Sequence, residues 1–150
     1  HTLVRQTSST HGVNGYITVD PEEIDAFQHR LEKKLKAHVD QFTFFDQDLD
    51  PDASTLMVAY GVTARAARVA VAASRAAGKP VSLLVPKTLW PVPEQLIIDT
   101  AAPYDRVVVV EMNMGQYVRE IQRLLPGKTI DFFGQMNGNL IKPEQIREVI

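Results

Sequence analysis

The chain has 150 residues, 45% of them hydrophobic, with a formal net charge of −2 and no cysteine. That length and apolar fraction suffice for one compact α/β domain and exclude a large multidomain enzyme. The charge balance supplies no global positive field for nucleic acid or an anionic membrane, and the lack of cysteine excludes disulfides, thiolate catalysis, zinc–thiolate sites and iron–sulfur ligation.

The longest apolar runs, such as 107–110, fall far short of the roughly 20 residues that cross a bilayer, and no secretory signal pattern is present. A soluble, cytoplasmic chain is expected. The sequence opens at His1, and residues 1–20 are polar, rich in Gly, Ser and Thr, and weakly periodic. We therefore expect an extended interdomain segment over 1–20, a domain over 21–150, and a fragment or tail half of a longer chain.

The first helix signal is Asp20-Pro21-Glu22-Glu23: Asp20 can cap, Pro21 suits the first helical position, and Glu23 stands at capping-box spacing. Ile24, Phe27, Leu31, Leu35, Val39 and Phe42 then recur as one apolar stripe that predicts a packed helix. Asp46 to Asp52 resembles a calcium loop only in acidic density, lacking the central glycine and the closing bidentate Glu, so it reads as a solvated turn.

Beyond that turn a unit repeats: a short apolar run, a turn, a helical stretch. The predicted strands are 55–60, 81–85, 106–110 and 129–133; the helices between them are 63–77, 93–101 and 116–125, with a last short helix over 143–150. Strands apolar on both faces and separated by helices predict a mostly parallel sheet with right-handed crossovers, a three-layer, Rossmann-like α/β/α sandwich.

Ligands and partners of such sheets meet the loops at the carboxyl ends of the strands. In Tyr60-Gly61-Val62-Thr63-Ala64-Arg65, Gly61 frees the turn, Thr63 can cap, and Arg65, Arg68 and Arg75 fall near one helix face, which suits an anion. A single glycine is far from a nucleotide fingerprint, so ordinary turn chemistry is favoured there. The next loop, 86–93, carries the sole tryptophan, Trp90, among three prolines, where it serves either as a partner-docking anchor or as a cover for the core edge. The loop after the third strand, Glu111-Met112-Asn113-Met114-Gly115-Gln116, puts a carboxylate, amides and thioethers before a helix. Both loops follow predicted parallel strands, so they are expected to lie side by side as one contiguous surface at the carboxyl edge of the sheet that docks a neighbouring domain or subunit.

No metal or triad pattern emerges. His29 and His38 are nine residues apart, at about 100° per residue on opposite helix faces. His1 and His11 lie in the irregular segment, and neither Gly-x-Ser-x-Gly nor His-Glu-x-x-His occurs.

Ser9-Thr10-His11 with Gly15-Tyr16, Ala59-Tyr60-Gly61 with Arg65, Lys87-Thr88-Leu89-Trp90-Pro91 with Pro93-Glu94, and Glu111-Met112-Asn113 with Gly115-Gln116 come in the order of one known family. Over almost its whole length the chain resembles the carboxyl-terminal part of the alpha subunit of 2-oxoacid:ferredoxin oxidoreductases, of the 2-oxoglutarate or branched-chain type. The Lys-Thr-Leu-Trp-Pro and Glu-Met-Asn-x-Gly-Gln strings are the specific ones. Gly12 departs from the pattern, for the family often carries an acidic residue there.

The resemblance implies a fold similar to the carboxyl-terminal domain of transketolase. It also implies a holoenzyme that decarboxylates a 2-oxoacid on thiamine diphosphate with Mg2+, passes electrons through iron–sulfur clusters to ferredoxin, and forms an acyl-coenzyme A. None of these cofactors is expected on this chain, nor any catalytic or metal-binding residue. The expected role is structural, within a complex that includes the rest of the alpha subunit and a thiamine-diphosphate-binding beta subunit. His11, Gly61, Thr63, Arg65, Lys87, Trp90, Glu111, Asn113 and Gln116 are the candidate anion or interface residues. The rival reading is an independent anion- or nucleotide-binding Rossmann-like domain using 61–68.

Overall fold

A computed structural model describes residues 9–150. His1 lies outside the described residues. The chain forms two compact units that divide after Gln41.

In the first unit, residues 10–18 turn back on themselves. Gly12 N–H donates to the Tyr16 carbonyl at 2.9 Å and Thr18 N–H to the Thr10 carbonyl at 3.1 Å, around an antiparallel bridge between His11 and Ile17. Helix α1 (Pro21–Lys36) starts as its cap signal predicts: Asp20 Oδ1 accepts from the N–H groups of Glu22, at 2.9 Å, and Glu23, at 3.1 Å. The helix stops at Lys36, and a 3-10 turn, Val39–Gln41, follows. The predicted burial of its stripe is corrected, because no residue of α1 is buried.

The second unit is built on a five-stranded sheet. Its strands are β1 (Phe45–Asp48), β2 (Thr55–Ala59), β3 (Ser82–Pro86), β4 (Arg106–Glu111) and β5 (Thr129–Gly134), in the spatial order β1-β3-β2-β4-β5. The β3-β2, β2-β4 and β4-β5 pairs are parallel, as the apolar runs predict. Residues of β2, β3 and β4 are buried on both faces, apart from Arg106 at the start of β4.

Helices α2 (Thr63–Ala76), α3 (Glu94–Ala101), α4 (Tyr117–Leu124) and α5 (Pro143–Arg147) supply the crossovers and the last cover. One core layer joins Leu56, Val58, Val107 and Val109 to Ile97, Val118 and Ile121 of α3 and α4. The other joins Met57, Leu83, Val108 and Val110 to the alanines of α2 and to Ile146 of α5. This is the three-layer sandwich.

The acidic segment from Asp46 is corrected. Its first residues belong to β1, which pairs antiparallel with β3 from Phe45 opposite Pro86 to Asp48 opposite Leu83. Beside its backbone pairing, charged side chains rather than an apolar pattern fasten this strand. Arg75 of α2 donates to Asp48 Oδ1 at 2.7 Å, to the Asp48 carbonyl at 2.9 Å and to the Val81 carbonyl at 3.0 Å, and lies 3.3 Å from Asp50 Oδ2. Arg68 and Lys87 both reach Asp46 at 2.5 Å.

Candidate functional site

The chain runs from β2 outward to β3, then returns past β2 to β4, so the connections diverge at the carboxyl ends of β2 and β4. In doubly wound sheets that divergence opens the crevice where ligands sit. Here two tyrosines, a carboxylate and an amide fill it.

Glu111 ends β4 and is 1% exposed. Its Oε2 accepts from Tyr60 Oη at 2.6 Å, from Asn113 Nδ2 at 2.8 Å and from Tyr117 N–H at 3.0 Å, while Oε1 accepts from Val118 N–H at 2.9 Å. The two backbone donors open α4, whose amino end favours negative charge. Asn113 donates also to Tyr60 Oη, at 2.8 Å, and its Oδ1 accepts from the N–H groups of Gly115 and Gln116 at 2.8 and 3.0 Å. Gly115 sits at φ +82°, a conformation that favours glycine and closes this turn.

Burial, and then the hydrogen bond to Glu111, push the Tyr60 hydroxyl above the usual tyrosine range. Tyr117 packs edge-to-face on Tyr60 at 5.4 Å between ring centroids. Burial, helped by the charges of Glu120 and Glu111, pushes its hydroxyl up to about 12. That hydroxyl is buried and has no hydrogen-bond partner among the described residues.

The other sequence candidates separate into tethers and exposed groups. Lys87 and Thr88 are tethers: their N–H groups donate to the Phe44 carbonyl at 2.8 and 3.1 Å, and Thr88 Oγ1 donates to the Phe42 carbonyl at 2.5 Å while accepting from Phe44 N–H. They fasten the entering chain to the end of β3. Trp90, before a cis Pro91, is 77% exposed, which removes the core-cover reading. His11 packs edge-on against Phe27 of α1 at 5.0 Å.

Thr63 is buried as the first residue of α2 and does not cap it; Val62 holds the cap position with no side-chain bond. Gly61 turns there at φ +57°. Arg65 is exposed, but Arg68 and Arg75 are paired with Asp46, Asp48 and Asp50, so the cationic face expected on α2 is already neutralised.

The loops after β3 and β4 share the carboxyl edge but are not neighbours, because β2 lies between their strands. The Tyr60–Val62 turn fills the gap. Along the edge Phe44, Val62, Trp90, Met114, Met136 and Leu140 are all exposed. Sequence reasoning noted Glu111 and Asn113 but missed Tyr60 and Tyr117 as their partners, since strand order across the crevice has no local signature.

A family model described as pyruvate:ferredoxin oxidoreductase core domain II matches residues 53–146. The ketoisovalerate oxidoreductase subunit VorB of Methanothermobacter thermautotrophicus is 36% identical over 137 residues, covering 89% of this chain and 39% of that protein. The 2-oxoglutarate synthase subunit KorA of the same organism is 31% identical over 146 residues, covering 96% of this chain and 39% of that protein. The chain thus spans well under half the length of these relatives. In structure it is similar to a 2-oxoglutarate:ferredoxin oxidoreductase from Magnetococcus marinus, solved with 2-oxoglutarate, coenzyme A and succinyl-CoA bound, with a TM-score of 0.80 and 24% identity over 95% of this chain and 25% of that one. It also resembles a split-gene transketolase, with a TM-score of 0.55 and 16% identity over 69% of this chain and 39% of that one. Both likenesses concern the fold.

Proposed function

Because the chain belongs to the pyruvate:ferredoxin oxidoreductase core domain II family, we propose that it is a structural and assembly domain of a 2-oxoacid:ferredoxin oxidoreductase alpha subunit. In this reading it contributes to catalysis only within a complex that converts a 2-oxoacid to an acyl-coenzyme A and reduces ferredoxin. Its partners are the remaining domains of the alpha subunit and a beta subunit that binds thiamine diphosphate, in the cytoplasm.

The residues of this chain do not fit two of the holoenzyme's cofactors, thiamine diphosphate and the iron–sulfur clusters. Thiamine diphosphate needs a divalent cation or a phosphate cradle. Among the described residues no group of three or more His, Asp or Glu is placed to hold a metal. The buried carboxylate, Glu111, already accepts four hydrogen bonds. The sequence has no cysteine for an iron–sulfur cluster.

The observation that carries the assembly reading is the apolar carboxyl edge, above all Trp90 at 77% exposed and Met114 at 75%. An aromatic side chain so exposed on a proline-flanked loop is a typical interface anchor. In the alpha subunit carrying this domain, co-expressed with its beta subunit, Trp90→Ala is expected to weaken assembly by about 2 kcal/mol. The melting temperature of the domain should stay put, because surface substitutions cost within about 0.5 kcal/mol. Sedimentation and thermal melting of one variant check both, and normal assembly with early melting would overturn the reading.

A further inference from the structure

The crevice between β2 and β4 is where this architecture usually admits a ligand, yet the chain itself provides a carboxylate there. Four donors from three places converge on Glu111: the Tyr60 hydroxyl beyond β2, the Asn113 amide in the following loop, and the first two N–H groups of α4. The acceptor is 1% exposed, so bulk water does not reach it. A carboxylate is held tightly here because each contact is charge-assisted, and the helix end adds its dipole.

We infer that this crevice is a carboxylate receptor permanently occupied by the chain's own Glu111, and thereby closed to an external anionic ligand. The inference concerns recognition chemistry. Among the described residues the donors to Glu111 are N–H and O–H groups and none is a cationic side chain, so the seat matches a small carboxylate rather than a nucleotide's polyphosphate. It stands apart from the assembly reading, which rests on Trp90 and the exposed edge and would survive its failure.

Vacating the seat tests it. In Glu111→Ala the four donors lose their acceptor, an expensive state for buried groups. The melting temperature is expected to fall, and sodium formate to restore it. With a dissociation constant on the order of millimolar, near the ceiling for so small an ion, about 100 mM formate should raise the melting temperature of the variant by at least about 4 °C over sodium chloride of equal ionic strength. If Glu111→Ala does not fold in chloride, the readout becomes recovery of folded protein on refolding with formate. Glu111→Gln, which fills the seat without charge, should show no such response. A formate effect confined to Glu111→Ala supports the receptor. Equal behaviour in formate and chloride, including failure to fold in both, overturns it, as does an equal formate response in Glu111→Gln.

Discussion

At the scale of single residues, the crevice depends on close approaches that allow no extra atom. Gly134 ends β5 beside the loop after β4, and a Cβ there would stand 2.6 Å from the Asn113 backbone oxygen and closer still to the Phe132 ring. The ring can rotate away, but the carbonyl is fixed, because the Gln135 N–H and the Glu111 carbonyl tie the same two strands together at 3.3 Å. Gly134→Ala is therefore expected to cost about 1–3 kcal/mol by overpacking. It should also displace Asn113, releasing the Gly115 and Gln116 amides from its side chain. Thermal melting and hydrogen exchange at those two amides check this, and a variant with unchanged melting would show that the strand end yields more easily than its contacts indicate.

Elements differ in how openly the sequence declares them. The parallel strands and their crossover helices are legible because burial on both sheet faces requires unbroken apolar runs such as 107–110, and because Gly78, Pro103 and Pro126 punctuate the helices. Strand β1 is hidden for the opposite reason. Phe-Asp-Gln-Asp has no apolar periodicity, and besides its backbone pairing with β3 it is fastened at the sheet edge by Arg75, Arg68 and Lys87, 22 to 41 residues further along the chain. Glu111 likewise reads as an interface group until strand order shows it facing Tyr60. Arg75→Ala should release β1 before anything else: it removes bonds to Asp48 and Val81 from a guanidinium whose side chain is 26% exposed. The expected cost is about 1–3 kcal/mol, with the amides of 45–48 exchanging faster than those of β2. On α1 the relevant group is His29, 3.0 Å from the Asp25 carbonyl and 3.2 Å from its carboxylate. The carbonyl contact first, and then the charge of Asp25, raise its pKa above 6.5. A raised folded pKa stabilises the helix fully below pH 6.5 and loses that contribution as pH rises through the folded value. An NMR titration should place the His29 midpoint above 6.5, and Asp25→Ala, which removes the carboxylate but keeps the carbonyl, should lower it only part of the way towards 6.5.

For the whole molecule, the distribution of burial decides what holds what. Every buried hydrophobic residue identified lies between Leu56 and Ile146, in the second unit. The entry to that unit has its own fastening, for Thr88 and Lys87 bind the backbone of Phe42 and Phe44. The first unit has no buried residue in its described part, residues 9–41; Ile24, Phe27 and Leu31 are only half-covered and Leu35 is exposed. So short a segment, under about 40 residues, cannot offset its chain entropy without a closed core, a disulfide or a metal. Deleting residues 1–41 should therefore leave the sheet and both core layers intact, with a melting temperature within about 5 °C of the parent, the shift that 1 kcal/mol produces in a domain this size. The excised peptide 9–41 should show little helix by circular dichroism, because capping by Asp20 contributes only about 1 kcal/mol. A truncated chain that melts far earlier would overturn the expectation that the second unit holds its own core. A peptide that stays helical would mean that α1 needs no partner to keep its shape.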